Sequence, residues 1–172
     1  TAALMMGGTP PSTRRSNEEY NGTSWSEENN LVADAVGSNA IGRVTAAICV
    51  GGGGPPGGTD RTESWNGTSW TEVNDLNTAR RGAGSSGTAT AGIFVSGWTS
   101  PGTASPTVEQ WDGTSWTEVG DVANATAFLV GASASPSSLT IMMGGDPPSA
   151  GDTSATEEFT EPVYSVKTVT TS

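Results

Sequence analysis

The chain has 172 residues, enough for one domain with a buried core, but only 33% are hydrophobic and 24 are glycine. That mixture excludes a compact helical protein and fits short strands joined by tight turns. A net charge of −11, from 18 acidic and 7 basic residues, argues against non-specific binding to nucleic acid or anionic membranes.

The first element in the chain is a short apolar run closing on glycine, Ala3-Leu4-Met5-Met6-Gly7-Gly8, and it returns three times. The later copies are Ala47-Ile48-Cys49-Val50-Gly51-Gly52, Gly92-Ile93-Phe94-Val95-Ser96-Gly97 and Thr140-Ile141-Met142-Met143-Gly144-Gly145. With Gly7, Gly51, Gly97 and Gly144 as the marker glycines, the spacings are 44, 46 and 47 residues. A run of this length bounded by turn residues predicts a strand buried on both faces. Cys49 lies inside one such run, which predicts a buried thiol rather than a reactive one.

The second element is a hairpin: Tyr20-Asn21-Gly22-Thr23-Ser24-Trp25, Trp65-Asn66-Gly67-Thr68-Ser69-Trp70 and Trp111-Asp112-Gly113-Thr114-Ser115-Trp116. Asn-Gly or Asp-Gly between β-prone runs predicts a type I′ turn, with positive φ at both central residues. The second Trp recurs after 45 and then 46 residues. Three small-residue stretches form a third element, assigned to innermost strands: 35–38, 82–85 and 130–133.

Four strands per unit at this period predict an all-β propeller of about four blades, covering 1–31, 32–76, 77–122 and 123–172 within one domain. The first blade lacks its inner strand. The fourth replaces the hairpin copy with Thr160-Glu161-Pro162-Val163-Tyr164, before an alternating run from Val163 to Thr171 that predicts a last strand. Open edges and bare blade faces suggest a segment of a larger ring, completed by more of the same chain or by other copies. Trp25, Trp70 and Trp116, with Tyr20, Trp65, Trp111 and Phe159, are expected to pack between blades.

These residues resemble the kelch repeat: Gly-Gly ending the second strand (Gly7-Gly8, Gly51-Gly52, Gly144-Gly145), an aromatic ending the third, and a Trp opening the fourth. Trp98 is read as standing where the third copy has its second glycine. Thr78-Ala79-Arg80-Arg81 also looks like the kelch pattern. More narrowly, Glu18-Glu19-Tyr20-Asn21-Gly22-Thr23-Ser24-Trp25 and Asn77-Thr78-Ala79-Arg80 resemble kelch-like proteins of marine bacteriophages. That resemblance implies a virion-surface protein in a tail fibre or appendage, with other virion proteins, further copies of itself, or a host glycan or receptor as partners. It implies neither nucleic-acid binding nor membrane insertion.

Chemistry is sparse. Without histidine the chain cannot supply a Ser/His/Asp triad, the histidine ligands of a copper radical oxidase, or a Cys/His zinc site. No catalytic residue, cofactor or metal is expected, and Asp60, Asp146 and Asp152 show no repeated spacing that would suit calcium. Asp112-Gly113-Thr114-Ser115-Trp116 resembles the Asp-box of sialidase propellers, one residue short, and in that family the box is structural. The Glu-Glu pairs at 18–19, 27–28 and 157–158 read as solvated strand edge, because adjacent residues of a strand point to opposite faces. Asn21, Asn66 and Asn124 match a glycosylation triplet, which turn chemistry explains for the first two.

A binding face is expected where the variable loops between second and third strands emerge, at 9–17, 53–61, 99–107 and 146–156. Five arginines map there: Arg14, Arg15, Arg61, Arg80 and Arg81, joined by Trp98. The expectation is a non-enzymatic structural or glycan-binding propeller. The alternatives are a non-catalytic portion of a carbohydrate-active enzyme and a cellular kelch adaptor.

Overall fold

In the computed structural model the described residues are 2–8, 14–53, 57–100, 103–132, 139–146 and 156–160, and all regular structure among them is β. Four antiparallel sheets follow one another along the chain. The first contains β1 (Ala3–Met6), β2 (Asn17–Tyr20) and β3 (Trp25–Glu27); the second contains β4 (Asn39–Arg43), β5 (Ala46–Val50), β6 (Thr62–Trp65) and β7 (Trp70–Glu72). The third contains β8 (Gly84–Thr88), β9 (Ala91–Val95), β12 (Val108–Trp111) and β13 (Trp116–Val119), with a small side hairpin of β10 (Trp98–Ser100) and β11 (Thr103–Ala104). The fourth contains β14 (Val130–Ala132), β15 (Leu139–Met143) and β16 (Thr156–Thr160). Each strand pairs with its sequence neighbour in the sheet, as in a meander. The expected last strand after Val163 lies outside the described residues.

The apolar runs behave as predicted where a sheet stands on either side. Ile48, Val50, Ile93, Phe94 and Val95 are at most 1% exposed, whereas Met5 in β1 is 54% exposed. Two inner strands start later than the small residues suggest, β4 at Asn39 and β8 at Gly84, while β14 begins at Val130 as expected. Residues 35–38 are not a strand, and β4 begins at Asn39. Gly37 has a left-handed φ of 64°, which turns the chain into β4 instead of extending it.

The glycine pair also shifts in the third repeat. The amides of Gly8, Gly52 and Gly97 donate to the carbonyls of Ala35, Arg80 and Thr126, so Gly97 is the second member of its pair. Ser96, not Trp98, is therefore the substitution, standing where Gly7, Gly51 and Gly144 stand.

Three apolar clusters lie between successive sheets. Trp65, Trp70, Ala47 and Cys49 pack with Leu31 and Ala35, against Leu4 and Met6 of the first sheet. Phe94, Trp111 and Trp116 of the third sheet pack on Ile41, Ile48 and Val50 of the second. Met142 of the fourth joins Ile93, Val95 and Val108 of the third. Each tryptophan pair thus faces the preceding sheet, and Trp116 Nε1 donates to Thr62 Oγ1 there at 3.0 Å. The indoles that end β6 and β12 are also satisfied, on Val44 O at 2.8 Å and Ala89 O at 3.0 Å.

The first sheet departs from the expectation. Its Trp25 is 50% exposed, because no sheet covers that face among the described residues. Tyr20 stacks on Trp25 at 5.2 Å and is only partly buried. The side chain of Phe159 lies outside the description. Beside β1 an open groove of about 460 Å³ runs to Ala40, Ile41 and Val44.

The hairpin turn is not type I′. Trp65 pairs with Trp70 across a four-residue loop, and of Asn66 and Gly67 only the glycine has positive φ, at 92°. Asn66 Oδ1 instead accepts the amides of Thr68 and Ser69, each at 2.9 Å. Asn21 and Asp112 do the same in their copies, so the side chain caps its own turn. The two amides hold the Asp112 carboxyl below its usual pKa, with Ser115 the larger contributor. These turns also tie neighbouring units together. Asn29 Nδ2 donates to Thr68 O and Asn74 Nδ2 to Thr114 O, both at 2.8 Å, each from the repeat before. Four residues after Trp116 the matching position is Gly120.

Candidate functional site

The expected binding face separates into pieces. Arg14 and Arg15 both reach Asp34, at 3.4 and 3.1 Å, and hold its carboxyl below the usual range, mainly through the Arg15 hydrogen bond. Arg61 lies 3.6 Å from Glu72. These exposed pairs are surface neutralisation, of small energetic weight. Much of the loop sequence, including residues 9–13, 54–56, 101–102 and 147–155, lies outside the described residues.

Arg80 is not on the surface at all; its side chain and that of Glu109 are both 0% exposed and meet at 2.7 Å. The guanidinium also donates to the carbonyls of Ser96, Thr107 and Thr78, and lies 5.2 Å from the Phe94 ring centroid. Burial pulls its pKa down while Glu109 holds it up. Glu109 in turn accepts the amides of Asn77 and Thr78 and the side chain of Asn77. Glu63 has the same role in the preceding repeat, accepting the amides of Val32 and Ala33 at 2.8 and 2.9 Å. These carboxylates fasten one sheet to the link that precedes it. Both are buried, whereas in the Glu-Glu pairs, expected as solvated edge, Glu27 and Glu158 are exposed and Glu18, Glu19 and Glu28 half-buried. The acid sits two residues before each aromatic, at Glu18, Glu63, Glu109 and Glu157, a signal present in the sequence.

Arg81 and Trp98 do come together. Their backbones exchange two hydrogen bonds, Arg81 N to Trp98 O at 3.0 Å and Trp98 N to Arg81 O at 2.9 Å. The guanidinium lies 5.4 Å from the Trp98 ring. Phe128, which sequence reasoning missed, meets the indole edge-on at 5.3 Å and 69° and remains 55% exposed. Among the described residues, the buried Arg81 Nε and Trp98 Nε1 have no hydrogen-bond partner and no carboxylate lies within ion-pair distance of Arg81. Among those residues no group of three or more Cys, Asp or Glu is placed to hold a metal ion.

No family model and no curated protein matches the sequence. Among solved structures, one titled "Structure of YjhT" superposes with a TM-score of 0.72 at 13% identity, over 85% of this chain and 48% of that one. The fold is β-propeller-like. The chain spans about half the length of that neighbour. In propeller terms, the Arg81–Trp98–Phe128 cluster lies where the loop after a second strand meets the link into the next sheet. The repeated tryptophans and the buried Arg80–Glu109 pair belong to the frame.

Proposed function

We propose that this chain is a non-enzymatic recognition module of a kelch-like propeller, binding a carbohydrate through the face that carries Trp98. The observation that carries the reading is the Arg81–Trp98–Phe128 cluster. It offers an exposed aromatic ring and a cation without a carboxylate partner among the described residues, on a β frame, the combination that holds a sugar by its apolar face and its polar edge. Catalysis has no support from the composition, which contains no histidine. The phage resemblance supplies the setting, a virion appendage outside the cell that meets host-surface glycans, with further blades or copies completing the ring.

A glycan array probed with the purified chain tests the reading, together with reducing-sugar release from the bound glycans. Binding without turnover is the expected result. Turnover would favour a carbohydrate-active enzyme instead, and an array without hits would end the glycan reading.

A further inference from the structure

Among the described residues two that are not glycine hold a left-handed backbone, Ser96 and Phe128, both at φ 56°. That conformation is uncommon for any residue with a side chain and strained for a bulky one. At Ser96 the surroundings account for it. The hydroxyl accepts the Thr126 amide at 2.8 Å and turns its own hydrogen toward the carbonyls of Thr126 and Ser105, at 2.6 and 2.7 Å, with the residue wholly buried.

Phe128 has no such compensation. It lies two residues after Thr126, as Gly37 follows Ala35 and Gly82 follows Arg80, and those two glycines have φ of 64° and 60°. A phenylalanine therefore occupies the position that glycine takes in the other two links. The ring is not buried in exchange, being 55% exposed. It is nonetheless firmly seated. Gly82 leaves room for it, since a Cβ there would meet the ring at 2.9 Å, and the Phe128 amide donates to Gly82 O. Trp98 holds its other side. Strain kept at an exposed, immobilised aromatic marks a contact residue rather than a packing residue.

Building on the carbohydrate reading above, we propose that Phe128 and Arg81 form a shelf for a hexuronate residue of an acidic polysaccharide. The C–H face of the pyranose lies on Phe128 and its carboxylate meets Arg81. The acid follows from charge: Arg14, Arg15 and Arg61 already face carboxylates, whereas among the described residues Arg81 faces none. The polymer follows from shape, because an open shelf grips one face of one sugar and leaves the neighbouring sugars free to extend past it. A single cation on a chain of net charge −11 suits one carboxylate rather than a densely sulfated strand.

The test is calorimetric titration of the 172-residue chain with alginate oligosaccharides, and with neutral laminarin oligosaccharides, in about 0.15 M salt so that long-range repulsion is screened. F128G, F128A and R81Q are compared with the parent, and each is also melted. Alginate binding is expected to fall roughly tenfold or more in all three variants. F128G is expected to melt above F128A, because only glycine is at ease in the left-handed conformation. If F128G binds like the parent, or melts far below F128A, Phe128 is a packing residue and the proposal is overturned. If alginate and laminarin bind equally and R81Q has no effect, the acidic ligand is overturned while the carbohydrate reading survives. If neither sugar binds and the glycan array is also empty, both fall.

Discussion

Ser96 shows how one residue can replace a glycine that the repeat otherwise requires. Its hydroxyl satisfies the Thr126 amide in a fully buried site, so the left-handed backbone is held by hydrogen bonds instead of by freedom from a Cβ. S96A keeps the strain and leaves that amide unpartnered, and is expected to lose about 2–3 kcal/mol in urea unfolding. Cys49 is a second single-residue case. Burial pushes its thiol up to about 11 from 9.0. The unfolded chain then ionises first, so stability is unaffected below pH 9 and falls as the pH rises toward 11. Iodoacetamide labelling of Cys49 at pH 8 is expected to track global unfolding and to slow in proportion to stability. Phe128 was missed in the sequence, where the only signal is its register: Gly82 follows Gly37 by 45 residues, and Phe128 follows Gly82 by 46. Its neighbours Gly82 and Trp98 lie 46 and 30 residues away, and nothing local marks the position as left-handed.

At the scale of elements, the sheets were readable wherever the cue was local. β5 and β9 are continuous apolar runs, and they are buried as such runs predict. The inner strands were harder because Asn39-Ala40-Ile41-Gly42-Arg43 carries one large apolar residue. The preceding small residues look more strand-like than the turn they form. The Glu63 and Glu109 ties also escaped: the acid recurs two residues before each aromatic, but most of its partners are backbone amides of a segment about 30 residues earlier, which no side-chain pattern marks. The aromatic hairpins split by environment. W116A removes an indole buried between sheets and its bond to Thr62, and is expected to cost about 3–5 kcal/mol in thermal unfolding. W25A, at a half-exposed copy of the same position, is expected to cost less than about 1.5 kcal/mol. Equal losses would mean that Trp25 is covered in solution.

For the whole molecule, two of the three boundaries between described sheets use the same geometry, an aromatic pair on one sheet meeting apolar residues of the sheet before, and at the third Met142 takes the place of the pair. That regularity made the propeller legible from a period of about 45 residues. The loop face was not legible in the same way, because arginines assigned to one face have different fates. Arg80 is buried, Arg61 is paired, and half-buried Arg81 lies over Trp98 with no carboxylate partner among the described residues.

The asparagines that bridge to the next turn carry a consequence for how such a chain can be rearranged. Asn29 and Asn74 each hold the hairpin of the following repeat. Gly120 precedes the one repeat whose sequence, Thr160-Glu161-Pro162-Val163-Tyr164, lacks that hairpin. The repeats are therefore not freely shuffled modules. A chimera that duplicates residues 32–76 behind the third repeat would place a turn carbonyl opposite Gly120 with no donor to meet it. Restoring the donor with G120N is expected to raise the melting temperature of that chimera by about 2–4 °C and to do nothing for the parent chain. Order along the chain is thus recorded at the seams, one amide at a time.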